Sequence, residues 1–436
     1  MKRSYRLRRV LGPTQGLLSA VGLLILGILV LGIGVGLVFK SVVLPGLLWL
    51  SRQTTLTVAH FVKPKDVEMA KWLVGGAMLL LGFYLVLHGG RRALRQIMET
   101  LDPGLKIGKM GDVYFRRQQR SQGPRIVAIG GGTGLSTLLR GLKSHTSNIT
   151  AIVTVTDDGG SSGRLIRDKG MIPPGDIRNC LVALADAEKS MTDLFQHRFK
   201  NDSGSLSGHS MGNLLIAALV DQAHGDFEKA IEIASDVLAI RGRVVPSTLA
   251  HVKLRAELED GSEVTGETAI VAQGKRIKRI FLDPEECGPT REALDAIRAA
   301  DLIVIGPGSV YTSVIPNLLV QGIQEALRQT HAKRVYICNV MTQPGESDSF
   351  TASEHVNAIL NNVSERVVDY VLVNNALPTS EALTKYAEVG QQFVEPDIDR
   401  IRTLGLRPIP GDLMSETDVV RHDPVKLAGR LMNLLR

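Results

Sequence analysis

Hydrophobic positions in this chain follow two regimes. Residues 16–39 are 24 consecutive uncharged positions dominated by Leu, Ile, Val and Gly, and 72–87 is a second, shorter apolar stretch. From residue 124 the pattern changes to short apolar runs at 126–129, 149–155, 302–305, 335–338 and 370–373. Each is short, rich in branched residues and closed by a polar loop of Gly, Ser, Thr, Asn or Asp, as expected of buried strands. Helical spacing follows most of them: Leu135, Leu138, Leu139 and Leu142 after the first, then 316–329, 353–363 and 380–387. Residues 225–243 are helical in pattern until Pro246 breaks the run, and 251–282 alternates about Asp260-Gly261, a good hairpin turn. Strand, loop and helix in this repetition predict an α/β body. Its mostly parallel, doubly wound sheet has helices on both faces and a small antiparallel excursion.

The N-terminal regime reads as a membrane hairpin over 1–90, with transmembrane helices at about 16–39 and 71–88. At 1.5 Å per residue the first stretch exceeds a hydrocarbon core of about 30 Å. The second reaches that length with Lys71 and His88 at the interface and Trp72 and Tyr84 near its ends. A cleaved signal peptide is the competing reading, but the run is too long for one and no small-x-small site follows. Lys2, Arg3, Arg6, Arg8 and Arg9 precede the first stretch, and Arg91, Arg92 and Arg95 follow the second. That bias expects a two-pass protein of the cell membrane with 40–70 outside and the body, 124–436, in the cytoplasm. Gly32 and Gly36 form a Gly-x-x-x-Gly pair suited to helix packing. Residues 91–123 form a basic connector, with a short helix ended by Asp102-Pro103-Gly104.

Charge sharpens this division. Residues 1–125 carry 19 Lys+Arg against 5 Asp+Glu, whereas the remainder carries 32 against 39. The overall +7 therefore belongs to the apolar N-terminal region, and the body is acidic. With aromatics at 4%, this excludes nucleic acid as the expected partner. Cys180, Cys287 and Cys338 follow no metal-binding spacing and read as buried thiols in a reducing compartment.

The loops carry the chemistry. Gly130, Gly131, Gly132, Thr133, Gly134 and Leu135 join a strand to a helix, the arrangement that offers backbone N–H groups and a positive helix end to phosphate. A glycine turn can equally be only a tight connection. Asp157 and Asp158 end the next strand and suit ribose hydroxyls or Mg²⁺, or else an Asx turn; Ser161 and Ser162 offer donors to phosphate. Asp176 and Asn179 open a helix and suit capping, and His209 and Asn213 stand at the start of another. Gly306, Gly308 and Ser309 form a second glycine-rich loop, and Asn339 ends the strand after it. Loops at the strand ends of a parallel sheet gather along one edge, so a nucleotide or phosphorylated ligand is expected there.

Six motifs then identify a resemblance. Gly-Gly-Gly-Thr-Gly-Leu (130–135), Asp-Asp-Gly-Gly-Ser-Ser-Gly-Arg-Leu (157–165) and Pro-Pro-Gly-Asp-Ile-Arg-Asn (173–179) resemble the YvcK/CofD superfamily. Gly-His-Ser-Met-Gly-Asn-Leu-Leu (208–215), Gly-Pro-Gly-Ser-Val-Tyr-Thr-Ser (306–313) and Cys-Asn-Val-Met-Thr-Gln-Pro-Gly-Glu (338–346) extend the likeness in order. The stretch 340–346 and the tail Asp-Val-Val-Arg-His-Asp (418–423) are closer to the YvcK, GlmR-type branch of gluconeogenesis factors than to CofD, the 2-phospho-L-lactate transferase of coenzyme F420 synthesis. The resemblance implies a Rossmann-like fold binding UDP-sugars, notably UDP-N-acetylglucosamine, with Tyr386 and Arg421 among the contacts and no required cofactor. It also implies a regulator linking gluconeogenesis to peptidoglycan precursor supply and cell shape. Glucosamine-6-phosphate synthase or another cell-wall synthesis protein would be the partner, and a homo-oligomer stays open. The N-terminal hairpin lies outside the resemblance. The alternative is a CofD-like transferase on a phosphorylated or nucleotide-linked small molecule, with Asp157 and Asp158 holding Mg²⁺; no nucleophile–base pair stands out.

Overall fold

The computed structural model describes residues 66–101 and 120–435, apart from 187–188, 201–203, 365 and 417–419, together with 26, 44–46, 48–57, 60 and 63. Contacts divide the chain into two units, 1–110 and 111–436.

In the first unit the principal element is helix α1, Val67–Leu101. The expected first membrane segment lies outside the described residues apart from Leu26. The second falls inside α1, which does not stop at His88. It continues through Arg91, Arg92 and Arg95 to Leu101, beside the expected Asp-Pro-Gly stop. No proline interrupts this stretch, and Gly89 and Gly90 only weaken a helix. Among the described residues no helix is long and apolar enough to cross a membrane, so the two-pass hairpin is not supported. What α1 does present is a set of exposed apolar side chains, among them Trp72, Leu80, Phe83 and Val86.

The second unit opens with β1 (Ile126–Gly130), α2 (Gly132–Leu142), β2 (Ile149–Val153), α3 (Gly160–Lys169) and α4 (Gly175–Leu184). Helices α5 (Lys189–Gln196), α6 (Met211–Gln222) and α7 (Phe227–Leu238) lead to β3 (Arg243–Pro246). The excursion is β4 (Lys253–Leu258), β5 (Glu263–Thr265), the short helix α8 (Glu267–Ala272) and β6 (Ile277–Asp283). The second half runs α9 (Arg291–Ala299), β7 (Leu302–Ile305), a π-helical turn (Val310–Val314), α10 (Ile315–Leu319), α11 (Ile323–Gln329) and β8 (Lys333–Ile337). It ends with α12 (Ala352–Asn362), β9 (Tyr370–Asn374), α13 (Ser380–Glu388), α14 (Ile398–Thr403), β10 (Arg407–Gly411), β11 (Met414–Glu416), β12 (Val420–His422) and α15 (Pro424–Leu434).

The main sheet has seven parallel strands in the order β10-β9-β8-β7-β1-β2-β3. Five are the apolar runs of the sequence. The two that the hydrophobic pattern missed, β3 and β10, are the two edges, and both contain proline. Proline cannot donate to a ladder and is tolerated at an edge but not in the middle of a sheet. Alternation along each central strand feeds two cores: Ile126, Ala128 and Val304 pack on one face, Val127, Ile129 and Ile303 on the other. The excursion forms the antiparallel sheet β5-β4-β6, and its Leu254, Leu258, Ile270 and Ile280 complete the second core. All three cysteines are buried free thiols.

This order fixes where a ligand site belongs. From β1 the chain winds outward to β2 and β3, then returns to β7 and winds the other way. The crevice between β1 and β7 is the topological switch point, where the connecting helices diverge to opposite faces.

Candidate functional site

Both glycine loops flank that switch point. Gly134 lies so close to the second loop that a Cβ there would stand 2.5 Å from the Pro307 carbonyl oxygen, backbone against backbone. At Gly131 a Cβ would stand 2.4 Å from Asp176 Oδ2. The two loops can be neighbours because Gly134 lacks a side chain, and Asp176 can reach the start of α2 because Gly131 does. The β8 loop is tied to them: Asn339 Nδ2 donates to the Gly308 carbonyl (3.0 Å) and Gln343 Nε2 to Ser309 Oγ (2.7 Å).

Around these loops is a cavity of about 670 Å³, within the size range of small-molecule sites. Of the residues singled out in the sequence, Gly131, Gly132, Thr133, Gly134, Asp157, Gly308, Ser309, Asn339, Tyr386 and Arg421 line it. Tyr386 comes from α13 and Arg421 from β12. The tyrosine hydroxyl donates to the Val420 carbonyl (3.3 Å) and accepts from the Val420 N–H (2.8 Å), which pins the helix to the β11–β12 hairpin. Its ring lines the cavity while its hydroxyl is engaged in the protein.

The other sequence candidates are placed elsewhere. Gly130 and Gly306 are buried at the strand ends, and Leu135 is core. Asp158 is engaged within the protein: its Oδ1 accepts from the Thr268 N–H (3.0 Å) and Oγ (2.7 Å), which anchors α8. Of the two carboxylates read from the sequence as a Mg²⁺ pair, Asp157 lines the cavity and Asp158 does not. Among the described residues no group of three or more His, Cys, Asp or Glu is placed to hold a metal ion.

Ser161, His209 and Asn213 meet in a buried polar network instead of lining the cavity. Asn213 Nδ2 donates to Ser161 Oγ (3.1 Å), which is 3.0 Å from His209 Nδ1; Arg178 donates to Asn213 Oδ1 (3.0 Å) and Asn179 Oδ1 (2.8 Å). Burial, with help from Arg164, lowers the His209 pKa and favours the neutral ring. Ser162 Oγ lies against Gly175, where a Cβ would be 2.6 Å away. These motif residues hold the loops that shape the site.

Sequence reasoning missed Asp176, Glu267, Ser313, Gln343, Lys385 and His422, all of which line the cavity. Asp176 is a cap, but for a different helix from the one it opens. Its carboxylate accepts the Gly132 N–H at the start of α2. Burial, then the nearby Asp157 carboxylate, raises its pKa to about 6. Buried Glu346 stands against the β7 loop, where its Oε1 accepts from Thr312 Oγ1 (3.2 Å); burial raises it to about 7. The loops expected to hold phosphate thus already have two of the protein's own carboxyl groups beside them. Glu267, from α8, is raised to about 9 by burial and then by Asp157 and Asp176.

Comparison with known proteins bears on this arrangement. The family model described as 2-phospho-L-lactate transferase CofD matches residues 126–414. The gluconeogenesis factor of Bacillus subtilis (strain 168) is 50% identical over 316 residues, covering 72% of this chain and 99% of that protein. A putative gluconeogenesis factor of Nostoc sp. is 47% identical over 367 residues, covering 84% of this chain and 80% of that one. A match of that length reaches beyond the 124–436 body into the N-terminal region. A crystal structure of a UPF0052 family member from Bacillus halodurans superposes with a TM-score of 0.69 at 50% identity, over 71% of this chain and 99% of that one.

Proposed function

The chain belongs to the CofD family, and its relatives are gluconeogenesis factors; from this we propose that its switch-point cavity binds a nucleotide sugar, UDP-N-acetylglucosamine or a close relative. The protein would use occupancy of that cavity to link carbon metabolism to cell-wall precursor synthesis and cell shape. The observation that carries this is one cavity lined by two contiguous glycine loops, the Arg421 and Lys385 cations and the Tyr386 ring. Arginine can pair bidentately with a diphosphate, and an aromatic ring can cover a base or sugar. In this reading a protein of the cell-wall synthesis machinery, such as glucosamine-6-phosphate synthase, senses the loaded cavity, with the body in the cytoplasm and no separate cofactor required. Attachment of the N-terminal unit to a lipid surface is part of the proposal. It is supported by the exposed apolar side chains of α1 and checked by flotation of the full chain with liposomes.

Calorimetry of the full chain with UDP-N-acetylglucosamine, UDP-glucose, NAD and GTP tests the reading. Binding of a UDP-sugar that Arg421→Ala abolishes supports it; no UDP-sugar binding refutes it. A transferase is the second reading. One observation favours it: Asp176, raised to about 6, lines the cavity where a general base would titrate near neutrality. Turnover of GTP with a phospholactate-type acceptor would establish that activity.

A further inference from the structure

The cavity is lined by two chemically opposed sets of residues. Lys385 and Arg421 come from α13 and β12, whereas Asp157, Asp176 and Glu267 come from the β2 loop, α4 and α8. The carboxylates act on one another: Asp157 acts on Asp176, and both act on Glu267, together with Glu346 and Asp158. The cation that acts on Asp176 is Arg178, which does not line the cavity. Glu346 is only 7% exposed, and its Oε2 has no hydrogen-bond partner. Carboxyl groups therefore gather beside the glycine loops, and burial together with their mutual repulsion makes a further negative charge there costly.

We propose that Asp157, Asp176 and Glu267 are the specificity-determining residues of this cavity. They accept the neutral, hydroxyl-bearing end of a nucleotide-linked ligand and reject ligands whose far end is negatively charged. The inference rests on the nucleotide-sugar reading and deepens it. Sugar hydroxyls both donate and accept, so they match a carboxyl group in either protonation state. A uronate carboxylate or a terminal phosphate does neither well and brings like charge into a poorly solvated corner. The ligand class that fits is a nucleoside diphosphate joined to an uncharged sugar. Glu267 is the member supplied by the excursion, held at the cavity by the bonds of its neighbour Thr268 to Asp158.

UDP-glucose and UDP-glucuronic acid differ at one carbon and form a matched pair for the test. Calorimetry of the full chain at pH 8 would compare them with UDP-N-acetylglucosamine and UTP. The neutral sugars should bind at least about tenfold more tightly than UDP-glucuronic acid and UTP. Asp157→Asn and, separately, Asp176→Asn should narrow that gap to about threefold, with thermal melts checking that each variant folds. Equal binding of UDP-glucose and UDP-glucuronic acid by the parent, or a gap that survives both substitutions, overturns this inference alone. No binding of any of the four probes overturns the nucleotide-sugar reading and this inference with it.

Discussion

Asp176→Asn tests whether the site holds its charge at a cost to the fold. The carboxyl is raised from 3.8 to about 6, chiefly by burial and then by Asp157. At 1.36 kcal/mol per pH unit, a rise of that size corresponds to about 3 kcal/mol. The folded chain binds this proton more tightly than the unfolded chain. The group's contribution is therefore most favourable below pH 3.8 and is lost as pH rises from there through about 6. Above that range, ionised Asp176 is a net cost. Asparagine has nearly the same shape, carries no charge and keeps an oxygen for the Gly132 N–H. The variant should exceed the parent in stability by about 3 kcal/mol at pH 8 and by only about 1 kcal/mol at pH 4.5. Urea unfolding of the full chain at both pH values, followed by circular dichroism, measures the difference. A variant no more stable than the parent at pH 8, or equally stabilised at both, refutes the reasoning.

Gly134→Ala should lower the melting temperature by several degrees, since its Cβ meets Pro307 backbone at 2.5 Å and overpacking of this kind costs about 1–3 kcal/mol. Gly429→Ala in α15 meets nothing within 4 Å and should be neutral or stabilising by up to about 1 kcal/mol. Tyr386→Phe removes both bonds to Val420, yet α13 has no buried residue, so the melt should barely move. Hydrogen exchange of 380–388 and 420–422 should accelerate instead. The diphosphate of a bound nucleotide sugar, held elsewhere in the same cavity, raises the proton affinity of Asp176 further, so binding should take up protons and weaken as pH rises from 6 to 8. Calorimetry in buffers of different ionisation enthalpy reads that uptake directly.

The sheet was legible wherever a strand is buried on both faces, because burial demands an unbroken apolar run. It was illegible at β3 and β10, where an edge position relaxes that demand and proline intrudes. The glycine loops were legible as neighbours along one edge of the sheet, and their contact at Gly134 and Pro307 explains why glycine is needed. The site's acids were not legible. Asp176 looks like a cap of its own helix because sequence shows local neighbours only, whereas it caps α2 across the fold. Glu267 sits within an excursion whose pattern reports strands and turns, and 110 residues separate Asp158 from the Thr268 that anchors it. Ser161, His209 and Asn213 were legible as a polar set but not as a buried one. Polar motif residues that support a loop look the same in sequence as those that touch a ligand.

The edge prolines have a further effect on assembly. In β10 the Arg407 N–H points inward to the Asp369 carbonyl (3.0 Å), so by strand alternation Ile409 and Gly411 point the same way. The outward positions are those of Pro408 and Pro410, which have no N–H at all. That margin of the sheet presents acceptors without donors, and another strand laid beside it would leave half of its own carbonyls unanswered. The sheet therefore cannot be extended through β10 into a neighbouring copy.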